Sequence, residues 1–250
     1  MTKEEYIDQY LAYLNDPKRE EEAEEAHQRF IQAIQIDFDA EPDDDTFYEC
    51  PKDVSETYIV PDNIREIAGD AFRGCTRLTS VKLPDALKYI GWGAFQDCTG
   101  LTSIIIPNSV EQICVRTFSG CVNLKDIILP DSLDSLESHV FSGCRSLKNI
   151  TIPASVQDIG FGTFEDCTGL TQITIPEGVR HIHSGAFSGC SNVTRITLPK
   201  SLRTLDSNKM SIFEGCTNLK EIIVPVGQKE RIADLFWEND LPYKALLIER

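Results

Sequence analysis

The fold follows from one stretch, Ala71-Phe72-Arg73-Gly74-Cys75-Thr76-Arg77-Leu78, because that stretch recurs along the chain. The phenylalanine returns every 23 residues and only the last step is longer, at 26 residues; its positions are Phe72, Phe95, Phe118, Phe141, Phe164, Phe187 and Phe213. A cysteine follows each of these phenylalanines three residues later. A fixed period between about 20 and 50 residues predicts stacked structural repeats.

Each repeat contains the pattern of a short strand followed by a second extended piece. In the repeat that begins at Leu101, Ile104 and Ile106 alternate with exposed positions, and Pro107 ends the strand because it cannot donate to a ladder. The pattern predicts one parallel strand per repeat, near residues 57–60, 80–83, 103–106, 126–129, 149–152, 172–175, 195–198 and 221–224. Burial of one apolar side chain stabilises the fold by roughly 1.5–3 kcal/mol, whereas ordering the backbone of each residue costs about 1–2 kcal/mol of conformational entropy. One repeat therefore needs its neighbours to fold.

The repeats resemble the BspA-like subclass of leucine-rich repeats. That pattern of leucine, a strand ending in proline and then Ala-Phe-x-Gly-Cys is met in full by Leu170–Cys190, and the resemblance covers about residues 55–225. It implies an α+β repeat protein, a right-handed solenoid with short parallel strands. It also implies a role in adhesion or protein recognition, often at bacterial or protozoan surfaces.

The two ends of the chain depart from the repeat pattern. Apolar periodicity predicts a helical hairpin, with one helix over residues 3–14 and a second running to about Ile36. We expect three domains: an acidic helical hairpin that caps the N-terminus (1–45), the solenoid (46–225) and a C-terminal cap with a short helix (226–250). The hairpin is interpreted as a lid over the first repeat, since terminal repeats need capping; the alternative is a separate partner-binding module.

The chain is acidic, with a formal net charge of −16 over 250 residues. Residues 1–50 hold 16 acidic and 4 basic side chains, a balance of −12, which leaves −4 for the repeats and the C-terminus. This charge argues against nucleic acid as a partner, and no apolar run long enough for membrane insertion occurs. No signal-peptide pattern is present, so a cytoplasmic location is favoured; the alternative is a secreted or cell-surface protein whose leader has been removed. A monomer is favoured.

Residues that point outward from the first strand of each repeat would line the concave face of a sheet. Ile105 and Ile128 fall at outward positions of adjacent repeats and are expected to form a contiguous apolar patch. Exposed apolar patches of this kind often mark interaction sites. We therefore predict that this face binds a protein partner. The predicted site comprises Lys82, Ile105, Asp126, Ile128, Asn149, Thr151, Gln172 and Thr174. Trp92 and Phe161 are interpreted either as binding anchors or as side chains packed on neighbouring repeats.

No pattern of catalytic or metal-binding residues accompanies the repeats. His181 and His183 share one face but lack a third ligand, and the acidic stretch 37–49 lacks the glycine and glutamate of a calcium loop. Seven of the nine cysteines occupy one repeat position, which indicates packing, and we expect all nine to be reduced. Phosphate-loop, nucleophile-elbow and kinase motifs are absent from the sequence. We predict a protein without enzymatic activity, cofactor or metal.

The sequence thus predicts a non-catalytic protein–protein interaction module that binds an unidentified protein on the solenoid surface. Two alternatives remain: a bacterial surface adhesin with the same fold, and a regulator that acts through the N-terminal helices. The three extra residues of the last repeat fall between Leu205 and Phe213 and are expected to bulge from a turn.

Overall fold

The computed structural model describes residues 44–51, 54, 56–206, 211–238 and 242–250. Residues 45–250 form one compact unit, which is a parallel-strand solenoid of about eight turns. The helical hairpin predicted for residues 1–45 lies outside the described residues, as do residues 207–210 of the predicted bulge. The boundaries predicted for the three domains stay predictions.

The solenoid has two series of strands, one on each of two sides of the coil. The first series consists of β2 (Thr57–Ile59), β4 (Ser80–Lys82), β6 (Ser103–Ile105), β8 (Asp126–Ile128), β11 (Gln172–Thr174), β13 (Arg195–Thr197) and β15 (Glu221–Val224). The second series has two residues per strand: β1 (Thr46–Phe47), β3 (Glu66–Ile67), β5 (Tyr89–Ile90), β7 (Gln112–Ile113), β9 (Ser135–Leu136), β10 (Asp158–Ile159), β12 (His181–Ile182) and β14 (Thr204–Leu205). The second extended piece of each repeat is thus itself a strand.

Each series divides into two sheets. The first series forms an N-terminal long-strand sheet, in the order β2-β4-β6-β8, and a C-terminal long-strand sheet that begins β11-β13-β15. The second series forms the short-strand sheets β1-β3-β5-β7 and β9-β10-β12-β14. Neighbouring strands are parallel, and most pair residues 23 positions apart, for example Ile104 with Ile127. The predicted parallel stack is therefore confirmed.

The core is built around the column of repeat phenylalanines. All seven are buried, and successive rings stack with centroids 4.8–6.1 Å apart. The column continues beyond the repeats, because Phe47 stacks on Phe72 at 4.8 Å and Phe236 lies 6.4 Å from Phe213. The prediction of one buried phenylalanine column is confirmed.

The strand predicted at residues 149–152 is wrong, because the structure forms no strand there. In five coils the amide of the residue before the strand donates to the equivalent carbonyl of the preceding coil; the Thr102 amide, for example, donates to the Thr79 carbonyl at 3.1 Å. Ahead of residues 149–152 it is the Ser146 amide that donates to the preceding coil, to the Val122 carbonyl at 3.1 Å, a spacing of 24 residues instead of 23. The register of the ladder is therefore lost just before the predicted strand. The long-strand series stops at β8 and resumes at β11.

A C-terminal cap covers the last coil. The predicted capping helix is confirmed as α1 (Lys229–Glu238), which buries Ile232, Ala233 and Phe236 against the core. A 3-10 helix (Pro242–Leu246) follows it, and then a strand, β16 (Leu247–Glu249). β16 pairs in parallel with β15 and completes the C-terminal long-strand sheet. The sequence did not predict this strand.

The return turn of each repeat places one residue in the left-handed backbone region. Glycine fills most of these positions, but Asp97 and Asp166 adopt φ values of 57° and 55° there. Gly189 follows Asp166 in the next coil, and a methyl group added at Gly189 would overlap the Asp166 carboxylate oxygen. The φ of 71° and the approach of Asp166 from the neighbouring coil therefore both favour glycine at this position.

Candidate functional site

The outer face of the N-terminal long-strand sheet exposes three isoleucines, and two of them, Ile105 and Ile128, lie on adjacent strands. These two pair in register, and 63% and 59% of their surfaces are exposed. Ile104 and Ile127 point to the opposite face and are buried, as the alternation of a strand requires. We call Ile105 and Ile128 the isoleucine pair. The structure confirms that these two side chains are exposed and adjacent.

Lys82 extends the same outward column by one coil. Its partner in the ladder is Ile59, which is 64% exposed, so Lys82 separates Ile59 from the isoleucine pair. Asp126 lies on β8 two residues before Ile128 and is also exposed. The structure thus brings four of the predicted site residues, Lys82, Ile105, Asp126 and Ile128, onto one sheet.

The other four predicted residues do not belong to this sheet. Asn149 and Thr151 are exposed but lie in the segment without a strand, while Gln172 and Thr174 are exposed on β11 of the C-terminal sheet. The gap in the long-strand series at residues 149–152 thus divides the predicted site into two parts. No contact with a partner tests either part, and the assignment of all eight residues stays a prediction.

Positive charge borders the isoleucine pair. Lys125 directly precedes β8 and Lys148 holds the same position in the next coil; both are exposed, and sequence reasoning did not include them in the site. Within the described part of the chain, neither they nor Lys82 takes part in an ion pair. By contrast, Arg195 at the other end of the array contacts Glu221 at 2.8 Å. Three lysines that form no ion pair within the described chain therefore lie, together with Asp126, next to an apolar patch on an acidic protein.

The aromatic residues considered as anchors pack on their neighbours. Trp92 is buried, and the Arg73 guanidinium lies 5.8 Å from the centre of its ring. Phe161 packs edge-on against the His139 ring, with 5.1 Å between ring centres. These contacts favour the packing interpretation over the interpretation as binding anchors.

The histidines and cysteines that the structure describes form no candidate metal centre. The His181 ring bonds the Thr204 hydroxyl at 2.7 Å, and His183 lies 3.9 Å from Asp206. No group of three or more metal-ligating side chains occurs among residues 44–51, 54, 56–206, 211–238 and 242–250. In that same part of the chain, no helix has the length and apolarity needed to cross a membrane.

All nine cysteines are present as thiols. Most of the cysteine column is buried, and burial raises the pKa of thiols such as Cys121, Cys144 and Cys167 well above the ordinary value. Cys114 lies off the column, half-buried, with its sulfur 2.9 Å from the Tyr89 hydroxyl; burial raises its pKa to about 11. Protonated, enclosed thiols are poor nucleophiles.

Comparison with known proteins agrees with this geometry. The sequence profile of the BspA type leucine rich repeat region matches residues 42–161 and 135–242, in six copies. No curated protein matches the chain. The crystal structure of a T. pallidum leucine rich repeat protein is similar, with 32% identity, a TM-score of 0.65 and coverage of 78% of this chain and 90% of that one.

A second crystal structure shares the fold. It is a leucine rich cell surface protein from Faecalibacterium prausnitzii, with 24% identity, a TM-score of 0.52 and coverage of 72% of this chain and 62% of that one. The matched repeats span most of the chain. They agree with the 23-residue period and with the buried phenylalanine column in indicating one family. The chain belongs to the BspA-type leucine-rich repeat family.

Proposed function

We propose that this chain is a non-catalytic module that binds a protein partner on the outer face of the N-terminal long-strand sheet. The observation that carries the proposal is the isoleucine pair, two adjacent side chains that stay about 60% exposed on a rigid sheet. Repeats of this family generally mediate protein–protein interaction and are typically non-enzymatic. An exposed apolar patch with a polar border is typical of a binding surface.

The surroundings of the patch define the chemistry of the partner. Lys82, Lys125 and Lys148 lack acidic partners within the described chain. A complementary surface would place apolar side chains over the isoleucine pair and carboxylates beside the lysines, since complementary charge sets specificity and association rate. The proposed occupant is therefore a protein surface with an apolar centre and an acidic border.

The test is affinity capture from the source cell, with identification of the captured protein and direct titration of that purified protein. The deciding variant is Ile105→Glu/Ile128→Glu, because a charge in a desolvated centre costs several kcal/mol unless it is paired. The matched control is Val226→Glu, which places the same charge at another exposed apolar residue, 76% exposed, in the C-terminal cap.

The proposal expects one protein to bind wild type and Val226→Glu with equal affinity and to lose affinity for the double variant at least tenfold. Lys125→Glu/Lys148→Glu should weaken the same complex, and added salt should weaken it in wild type. Circular dichroism checks that every variant is folded. Undiminished binding by the double variant would place the interaction on another surface. Loss of binding only after deletion of residues 1–45 would favour the regulator hypothesis.

Cell-surface adhesion is a second candidate function. It is supported by the surface location that is typical of the family and by the similar F. prausnitzii structure, which is that of a cell surface protein. It competes with the cytoplasmic location favoured by the sequence. Protease shaving of intact source cells followed by peptide detection separates the two: an adhesin loses its repeat peptides to the protease, whereas a cytoplasmic protein keeps them.

A further inference from the structure

A row of exposed residues runs along the short-strand side of the solenoid, with one member directly before β3 and each later strand of that series. In most coils the amide of one member donates to the carbonyl of the member before it; the Arg203 amide, for example, donates to the Arg180 carbonyl at 2.7 Å. Backbones joined in this way lie about 5 Å apart, so successive members are neighbours in space. The row comprises Arg65, Lys88, Glu111, Asp134, Gln157, Arg180 and Arg203.

The two ends of this row differ in charge. Its first four members are two basic and two acidic residues, and the Lys88 ammonium lies 2.6 Å from the Glu111 carboxylate of the next coil. At the C-terminal end Arg180 and Arg203 stand next to each other, and Gln157, which precedes them, is neutral. Like charges directly opposite each other on neighbouring strands are destabilising. The arginine pair is therefore unfavourable in the isolated chain.

The C-terminal cap brings a third positive charge to this end of the row. Arg231 on α1 donates from Nη1 to the Leu202 carbonyl at 2.6 Å and from Nη2 to the Lys200 carbonyl at 3.1 Å, so its guanidinium lies beside the residues that lead into Arg203. Both acceptors are neutral. Glu230 precedes Arg231 on the helix, where consecutive residues point in different directions. We call the three exposed arginines the arginine cluster: Arg180, Arg203 and Arg231.

The carboxylates of the surrounding coils are engaged elsewhere. Glu177 accepts the amides of Lys200 and Ser201, at 2.8 and 3.2 Å. Asp206 lies 3.9 Å from the His183 ring. Among the residues that the structure describes, none of the three arginines forms an ion pair. The cluster is thus a positive surface that carboxylates of the described chain do not neutralise.

We propose that the arginine cluster binds an acidic segment of a protein partner. A guanidinium presents its donors as a planar fork, which fits a carboxylate through two parallel hydrogen bonds. The net charge of −16 repels a long polyanion such as nucleic acid. A short acidic segment meets mainly the local positive charge, because salt screens exposed charges beyond about 8 Å. The isoleucine pair belongs to the long-strand side, so this inference does not rest on the function proposed above.

The test is titration of the full chain with a fluorescent hexaglutamate peptide, followed by fluorescence anisotropy at low ionic strength. Wild type should bind the peptide, and Arg180→Gln/Arg203→Gln should bind it at least tenfold more weakly. The matched control is Arg65→Gln/Lys88→Gln, which removes the same two charges from the other end of the same row and should bind as wild type does. Added salt should weaken the wild-type complex, because it screens exposed charges.

The third arginine and a second probe complete the test. Arg231→Gln should also weaken binding, since it removes one charge of the cluster. Circular dichroism checks that every variant is folded. The proposal is overturned if wild type does not bind the peptide, or if the two double variants lose affinity equally. It is also overturned if an oligothymidine of the same charge binds wild type more tightly than the peptide does, because the surface would then favour nucleic acid.

Discussion

Phe141→Ala tests whether the phenylalanine column holds the array together. Phe141 is completely buried and stacks on Phe118 at 5.8 Å and on Phe164 at 5.5 Å. Truncation of a buried phenylalanine removes its apolar surface and leaves a cavity, at a cost of roughly 3–5 kcal/mol. Phe141→Leu restores most of the volume but loses both ring contacts, each worth about 0.5–1.5 kcal/mol. We therefore expect the leucine variant to lie between alanine and wild type.

Phe161→Ala is the matched control, because it removes a phenylalanine from the next turn of the chain. Phe161 is half-buried and contacts His139 only at the ring edge, so its loss should cost about 1 kcal/mol. Urea denaturation followed by circular dichroism gives the free energy of unfolding of all three variants. If the slope of that free energy against urea concentration is unchanged, the folded and unfolded states of the variants are comparable. If Phe141→Ala costs no more than Phe161→Ala, the column does not stabilise the array as argued here.

Three more substitutions test other parts of the structure. Gly189→Ala should destabilise by roughly 1–3 kcal/mol, because the backbone is left-handed and the new methyl group meets the Asp166 carboxylate; Asp166→Ala in the same chain should recover part of this loss in urea denaturation. The hydrogen bond and charge of His139 hold the pKa of Glu165 below its ordinary 4.5. The ionised Glu165 carboxylate therefore stabilises the fold fully above about pH 4.5, and this stabilisation is lost as the pH falls through the lowered pKa of the folded state. Between about pH 5 and pH 3, Glu165→Gln should lose less stability than wild type; equal losses in the two proteins would refute this. Lys148→Thr introduces the hydroxyl that bonds the preceding coil at Thr79, Thr102 and Thr194 and should raise stability by about 1 kcal/mol, seen as a higher melting temperature; an unchanged or lower melting temperature would show that the new hydroxyl does not bond the preceding coil.

Most of the fold was predictable because the repeats fix each other. Phe72 and its equivalents share one environment, so a single period predicts their burial and the strand positions together. The alternation within each strand also predicts that Ile105 and Ile128 are exposed. What a partner places over them is not encoded in this chain, and the function of that face therefore rests on experiment.

The features that were not predicted depend on contacts between coils. The missing strand at 149–152 was not foreseen because its alternating sequence resembles that of the other strands, whereas the departure lies in the backbone contact of Ser146 with the preceding coil. β16 was missed because its partner in the sheet, β15, lies more than twenty residues earlier and outside any repeat pattern.

The last strand also limits assembly. A solenoid with an uncovered end presents a row of unpaired amides and carbonyls over an open core, and another copy could add to it end to end. Here β16 occupies that end of the C-terminal sheet, and the carboxylate of Glu249 is taken up by the amides of Gly227 and Lys229, each at 3.0 Å. A second copy that approached this end of the repeats would therefore meet β16 and the cap rather than the edge of β15.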